Sequence, residues 1–224
     1  MSHPDLMYQQ LMKIGASPAL TVYGEDRIEL SGKVLANHVA KIAHFLVDEI
    51  GLEPGNRVVL DLPVHWKTIA WGLAALIAGG NLVVGRAKIA DAEPGTVVVT
   101  ANPRGIERDP DDAVVALALG SLAMSWAGDL ESDVYDGVAD VMSFPDTLMF
   151  SGLGEGSNAF FYSRAIGDIP AGRIALHKPS VIESLCVAYT AFSRGDSLVI
   201  TSGSTAENVL EIEHASLFTP AIRL

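Results

Sequence analysis

Apolar and polar positions follow three patterns along this chain. Ala19-Leu20-Thr21-Val22-Tyr23 and Arg27-Ile28-Glu29-Leu30 flank Gly24-Glu25-Asp26, which predicts a hairpin over 19–30. Ser31 then stands where an N-cap would. Val34, Leu35, Val39, Ile42, Leu46 and Val47 follow at helical spacing to about Glu49, and Gly51 ends the run. Pro54-Gly55 marks a turn. Arg57 to Leu62 reads as a strand, Pro63 ends it, and His65 to Ala78 reads as an apolar helix. Short β-branched runs predict strands at Asn81–Val84, Thr96–Thr100, Ala113–Leu119, Thr147–Phe150, Arg173–His177 and Ser197–Thr201. Helices fit between them at about 132–143, 158–166, 180–193 and 205–214. Strands alternating with helices predict an α/β fold with a mainly parallel sheet covered on both faces, Rossmann-like in its layers. No repeat or linker divides the chain, so residues 1–224 are expected to form a single domain.

Composition changes one part of this picture. The 224 residues are 49% apolar and 19% charged, which excludes a disordered chain. Thr68 to Gly85 and Ala113 to Gly128 carry no charge, and the first approaches membrane-spanning length. Gly79-Gly80-Asn81 interrupts it, so both read as buried elements of a parallel core rather than membrane insertions. The formal charge is −12, which gives no electrostatic reason to bind nucleic acid or an anionic membrane surface. Ten acidic residues between Glu107 and Asp146 face one base, Arg108. They read as a solvated stretch that could also contact a basic partner. The N-terminus shows no secretory pattern, and the single cysteine, Cys186, fits a reducing compartment, so a cytoplasmic location is expected.

Candidate chemistry is sparse. Asp129, Glu131, Asp133 and Asp140 mimic positions of a calcium loop, but Val134 stands where its glycine is needed. The six histidines form no ligand pair, so no metal site is expected. Cys186 lies in an apolar helical stretch and reads as an inert thiol. His65 follows a strand at a helix start, where open α/β sheets bind ligands, although a backbone-capping role is the simpler reading. His65 and Trp66 are therefore pocket candidates. Ser151-Gly152-Leu153-Gly154-Glu155-Gly156-Ser157-Asn158 is a glycine-rich loop whose N–H groups suit a phosphate, yet it fails the dinucleotide spacing and no Lys follows. Thr201-Ser202-Gly203-Ser204-Thr205 shares these limits.

Residues 19–84 resemble the opening of the AMP-forming acyl-CoA synthetase, luciferase and adenylation-domain superfamily. The resemblance rests on the hairpin and helix, on Gly51-Leu52-Glu53-Pro54-Gly55-Asn56-Arg57-Val58, and on Ala74-Ala75-Leu76-Ile77-Ala78-Gly79-Gly80. Asn56 stands where that family usually has Asp. Leu62 to Thr68 is similar to a short actinobacterial-type group of unknown function. The resemblance implies the N-terminal subdomain fold of adenylate-forming synthetases. It also implies that Ser151, Gly152, Gly154, Gly156, Ser157 and Asn158 are a vestigial phosphate loop, with Thr201–Thr205 as the alternative. Under either alignment the loop lysine is missing, and the adenine-binding, ribose-binding and C-terminal motifs of the family are not found. Adenylation needs cationic groups at the transferred phosphorus. No catalytic residue and no cofactor are therefore expected, with ATP, AMP or CoA binding implied by resemblance only. The expected role is a small-ligand-binding or protein-interaction domain, with homodimerisation or a partner protein covering exposed apolar surface. The alternative is a degenerate AMP-forming ligase acting on a carboxylic acid, completed by a partner chain.

Overall fold

The computed structural model describes residues 4–24, 26–86, 94–106, 109–120, 122–159, 168–202 and 206–220. It opens with α1 (Pro4–Ile14), followed by the hairpin β1 (Pro18–Tyr23) and β2 (Arg27–Ser31). The Ser31 hydroxyl accepts the Val34 N–H at 3.3 Å and starts α2 (Gly32–His44), which widens into a π turn over Phe45–Glu49. Next come β3 (Arg57–Asp61), α3 (Trp66–Ile77), β4 (Asn81–Val84), β5 (Val97–Thr100), β6 (Ala113–Ala116) and β7 (Val134–Asp136). The last elements are β8 (Arg173–His177), α4 (Val181–Arg194), β9 (Ser197–Thr201), α5 (Ala206–Glu213) and β10 (Ser216–Leu217).

The expected single sheet is two five-stranded sheets. One has the order β10-β8-β9-β1-β2 and is parallel except for the β1–β2 hairpin. The other, β4-β3-β5-β6-β7, is parallel throughout. Sequence periodicity identifies strands but not which sheet each joins. Strand alternation sends Leu20, Leu198 and Ile174 of the first sheet, and Val58, Val97 and Val115 of the second, into one core with the helices. Within it α1 packs on α2 and α4, and α3 packs on α2 and α4. The α3–α4 crossing is close because residue 72 is glycine: a Cβ there would lie 2.4 Å from a Leu185 methyl. The uncharged stretch from Thr68 is mostly the buried helix α3 followed by β4, and in the second stretch β6 is buried as a parallel strand while the segment after Leu117, with Leu122 and Met124, is exposed rather than core as expected. Among the described residues no helix is long and apolar enough to cross a membrane.

Two local expectations need correction. Residues 132–143 are β7 and a 3₁₀ turn (Asp140–Ser143), not a helix. The Asp136 carboxylate accepts the N–H groups of Val138 and Ala139, and the Gly137 N–H donates to the Ala116 carbonyl, so local bonds outcompete helix formation. Thr147–Phe150 is irregular rather than a strand. The His44 ring contacts the Thr147 carbonyl and the Met149 N–H, and the Leu148 N–H donates to the Tyr8 hydroxyl. α1 was not anticipated. Of the helix expected at 158–166, residues 160–166 lie outside the described residues.

On the outer face of the first sheet, Glu213 anchors α5. Its carboxylate accepts from Tyr23, Arg27 and Arg173. Burial pushes its pKa up, but those donors and the Arg173 charge outweigh burial and hold it down at about 2.

Candidate functional site

The two groups of residues singled out by sequence lie at opposite ends of α3. At the N-terminal end, the His65 Nδ1 accepts the Lys67 N–H at 3.2 Å, and the Thr68 hydroxyl donates to the Pro63 carbonyl at 2.7 Å. His65 is thus the N-cap, the simpler of its two readings. Burial, and then the Lys67 charge, lower its pKa to about 4, so the ring is neutral at pH 7.

Trp66 begins the helix and is 8% exposed. Its Nε1 is buried and has no hydrogen-bond acceptor. Lys67 is 5% exposed, and its ammonium donates to the carbonyls of Ala118 at 2.7 Å and Gly120 at 3.0 Å. This pins the segment after β6 against α3. The same ammonium lies 5.5 Å from the Trp66 ring centroid, and burial lowers its pKa despite the opposing pull of Asp136. His38, on α2, sits 5.0 Å from the Trp66 ring. Burial, with Lys67 and Lys41, lowers its pKa too.

Trp66, Lys67 and His38 line a cleft of about 590 Å³, whereas His65 is not among its lining residues. Ile28 and Leu30 of β2 form one wall, His38 and Ile42 of α2 and Trp66 and Trp71 of α3 another. Leu117, Leu122, Met124, Val138, Val141 and Met142 complete it. The rim is apolar and open: Leu122 is 88% exposed, Met124 66% and Met142 44%. A volume of this size suits a small organic ligand. Sequence inspection placed Trp66 here but missed His38 and Lys67. The available signal was Lys67 itself, a cation at the edge of an 18-residue uncharged run.

At the C-terminal end of α3 the Ser151–Asn158 loop behaves differently. The Gly152 N–H donates to the Asp5 carboxylate at 2.8 Å, the Ser157 N–H to the Gly154 carbonyl at 3.2 Å, and the Ala159 N–H to the Ser157 hydroxyl at 3.3 Å. The Asn158 amide both accepts the Leu82 N–H at 3.0 Å and donates to the Leu82 carbonyl at 2.8 Å, closing on β4 as another strand would. A Cβ on Gly154 would lie 2.7 Å from Pro4 and 2.9 Å from the Leu76 carbonyl. A helix of 12 residues spans roughly 18 Å, so this loop and Trp66 do not form one surface.

In the alternative loop, residues 203–205 lie outside the described residues. Thr201 ends β9, and its hydroxyl meets the His177 ring at 2.9 Å. Cys186 is fully buried, and burial, then Glu183, push its thiol pKa up to about 12, as suits an inert side chain. Among the described residues no three His, Cys, Asp or Glu side chains converge as metal ligands.

The architecture matches solved structures over nearly its whole length. Acetoacetyl-CoA synthetase from Streptomyces lividans superimposes with a TM-score of 0.68 at 16% identity, covering 96% of this chain and 41% of that one. An acyl-CoA synthetase of Brucella canis gives 0.66 at 18% identity, covering 96% and 46%. Coronafacic acid ligase from Pectobacterium brasiliense gives 0.62 at 13% identity, covering 93% and 47%. This is the fold of the N-terminal part of the AMP-forming ligases. A TIGR03089 family protein of Mycobacterium tuberculosis is 33% identical over 128 residues, 55% of this chain and 50% of that protein. No family model matches. The chain thus spans about half the length of the proteins it resembles. Within this synthetase-like fold, the open cleft lies at the N-terminal end of α3, and the glycine-rich Ser151–Asn158 loop lies at the other.

Proposed function

We propose that this chain is a cytoplasmic, non-catalytic binding domain, a single-domain pseudoenzyme that takes an apolar small molecule into the Trp66 cleft. One observation carries the reading. The cleft is walled mainly by apolar side chains, with Arg27, Glu29, His38 and Lys67 also lining it, and one lining residue, Trp66, carries a buried indole N–H with no acceptor. A buried donor left unpaired costs about 1–3 kcal/mol, and a ligand bearing a hydrogen-bond acceptor would recover part of it. His38, held neutral, adds a donor or acceptor without the cost of burying a charge. The Ser151–Asn158 loop is read as a strut under α3. Its named N–H groups already have acceptors, and no lysine accompanies them. Titration of tryptophan fluorescence with an apolar fluorophore tests the reading. Saturable binding, weakened about tenfold by Trp66→Phe, is expected, and binding indifferent to Trp66 would overturn it.

A second reading is a degenerate ligase that activates a carboxylic acid with ATP, completed by another chain. The fold favours it, because the superimposed proteins include acyl-CoA synthetases. ATP–pyrophosphate exchange with a panel of carboxylic acids separates the two, and exchange by this chain alone would decide for the ligase.

A further inference from the structure

The first sheet ends at β2, and among the described residues no strand pairs with the free side of this strand. A free edge presents unpaired backbone N–H and C=O groups, and proteins normally cover or blunt it. Here the surroundings are apolar instead. Ile28 and Leu30 line the cleft, and the exposed side chains of Leu122, Met124 and Met142 stand around its mouth. Val34, one turn before His38 on α2, is a further exposed apolar side chain close to that strand.

The charges on β2 select the occupant. Arg27 and Glu29 are two residues apart and lie on the same, outer face, where they are ion-paired at 2.6 Å. Consider a second β2 added antiparallel, related by a two-fold axis normal to the sheet. Directly opposite residues must then share a face. If the axis passes through Ile28, Arg27 of each strand faces Glu29 of the other, and two Arg and two Glu alternate around the dyad. If it passes through Glu29, like carboxylates oppose each other, which is unfavourable. The strand is thus self-complementary in one register, as an isologous interface requires.

We propose that the chain forms a homodimer through β2, with Ile28 on the two-fold axis, joining the two edge sheets into one of ten strands. The partner copy covers the free edge and the Leu122–Met124 rim, closing the open side of each cleft. This goes beyond the ligand reading and does not depend on it, because mass in solution is blind to cleft occupancy.

Sedimentation or light scattering over a concentration series tests it. A particle of about twice 23.7 kDa is expected at micromolar concentration. Arg27→Glu should weaken dimerisation at least about tenfold, and adding Glu29→Arg to the same chain should restore it, because the swapped pairs still match across the dyad. A monomer throughout, or a dimer indifferent to both substitutions, would overturn the proposal. Arg27 also contacts Glu213, so Arg27→Glu could fail to fold. Hydrogen exchange on the unaltered protein then decides. Amides of Arg27–Ser31 that gain protection with concentration support the interface, and amides whose exchange is independent of concentration overturn it.

Discussion

The two ends of α3 use their polar groups in opposite ways. At the C-terminal end, the Ser151–Asn158 loop commits polar groups to the protein: the Gly152 N–H donates to Asp5, the Ser157 N–H donates to the Gly154 carbonyl, and the Asn158 amide accepts the Leu82 N–H and donates to the Leu82 carbonyl. A glycine is required there by the close approach of Pro4 and the Leu76 carbonyl. At the N-terminal end, an indole N–H lacks an acceptor, two imidazoles are held neutral by burial and nearby lysines, and a cleft of about 590 Å³ stands open. Glycines followed by polar residues look like a binding loop in sequence. In three dimensions the same letters close a helix end, and the open cleft is lined by largely apolar residues brought together from several elements.

The sharpest way to break this comparison is to disturb the closed end. Gly154→Leu should cost about 3 kcal/mol or more, since its Cβ meets backbone that cannot move aside. The midpoint of chemical denaturation reads this. If the loop were an open phosphate cradle, the substitution would be far milder. Asn158→Ala should cost about 2 kcal/mol, because it strips partners from both Leu82 backbone groups. Apolar-probe affinity at the far end should stay unchanged in the folded fraction.

The open end is sharpened by pH. His65 has a pKa of about 4 in the folded chain against an ordinary value of 6.5. Between these values the unfolded chain binds more protons, so the native state holds its full stability above pH 6.5 and loses it as pH falls towards 4. The loss, reduced by partial exposure of the ring, is of the order of 2 kcal/mol. His65→Asn keeps a good N-cap and should remove most of this slope in pH-dependent unfolding. Unchanged acid sensitivity would assign it to other groups. The smallest stability effect belongs to Trp66→Phe. It removes the unpaired N–H along with some packing, so stability should change by less than about 1 kcal/mol while probe affinity falls tenfold.

Much of the scaffold was legible because its signals are local. Ser31, Gly51 and Pro63 punctuate the chain where the structure starts or stops elements, and the valine-rich runs are β3, β5 and β6. Ser180 and Glu183 close a capping box that starts α4 where the helix was expected. What escaped depends on long-range partners. Thr147–Phe150 has strand-like letters, but contacts with His44 and Tyr8 hold it irregular. The division into two sheets is set by which strands hydrogen-bond side by side, often far apart in sequence, and no short window contains that. The cleft was half legible. Trp66 was marked by its place after a strand, while His38 lies on α2 and Leu122 after β6, and only the tertiary fold brings them together.

The central claim is that binding belongs to the Trp66 end of α3 and that the glycine-rich loop is structural. Crystals soaked separately with an apolar fragment and with AMP test it most directly. Fragment density between Ile42 and Leu122, with no nucleotide on the loop, is the predicted result. An ordered AMP phosphate on the N–H groups of Gly152 to Ser157, with the cleft empty in both soaks, would contradict it.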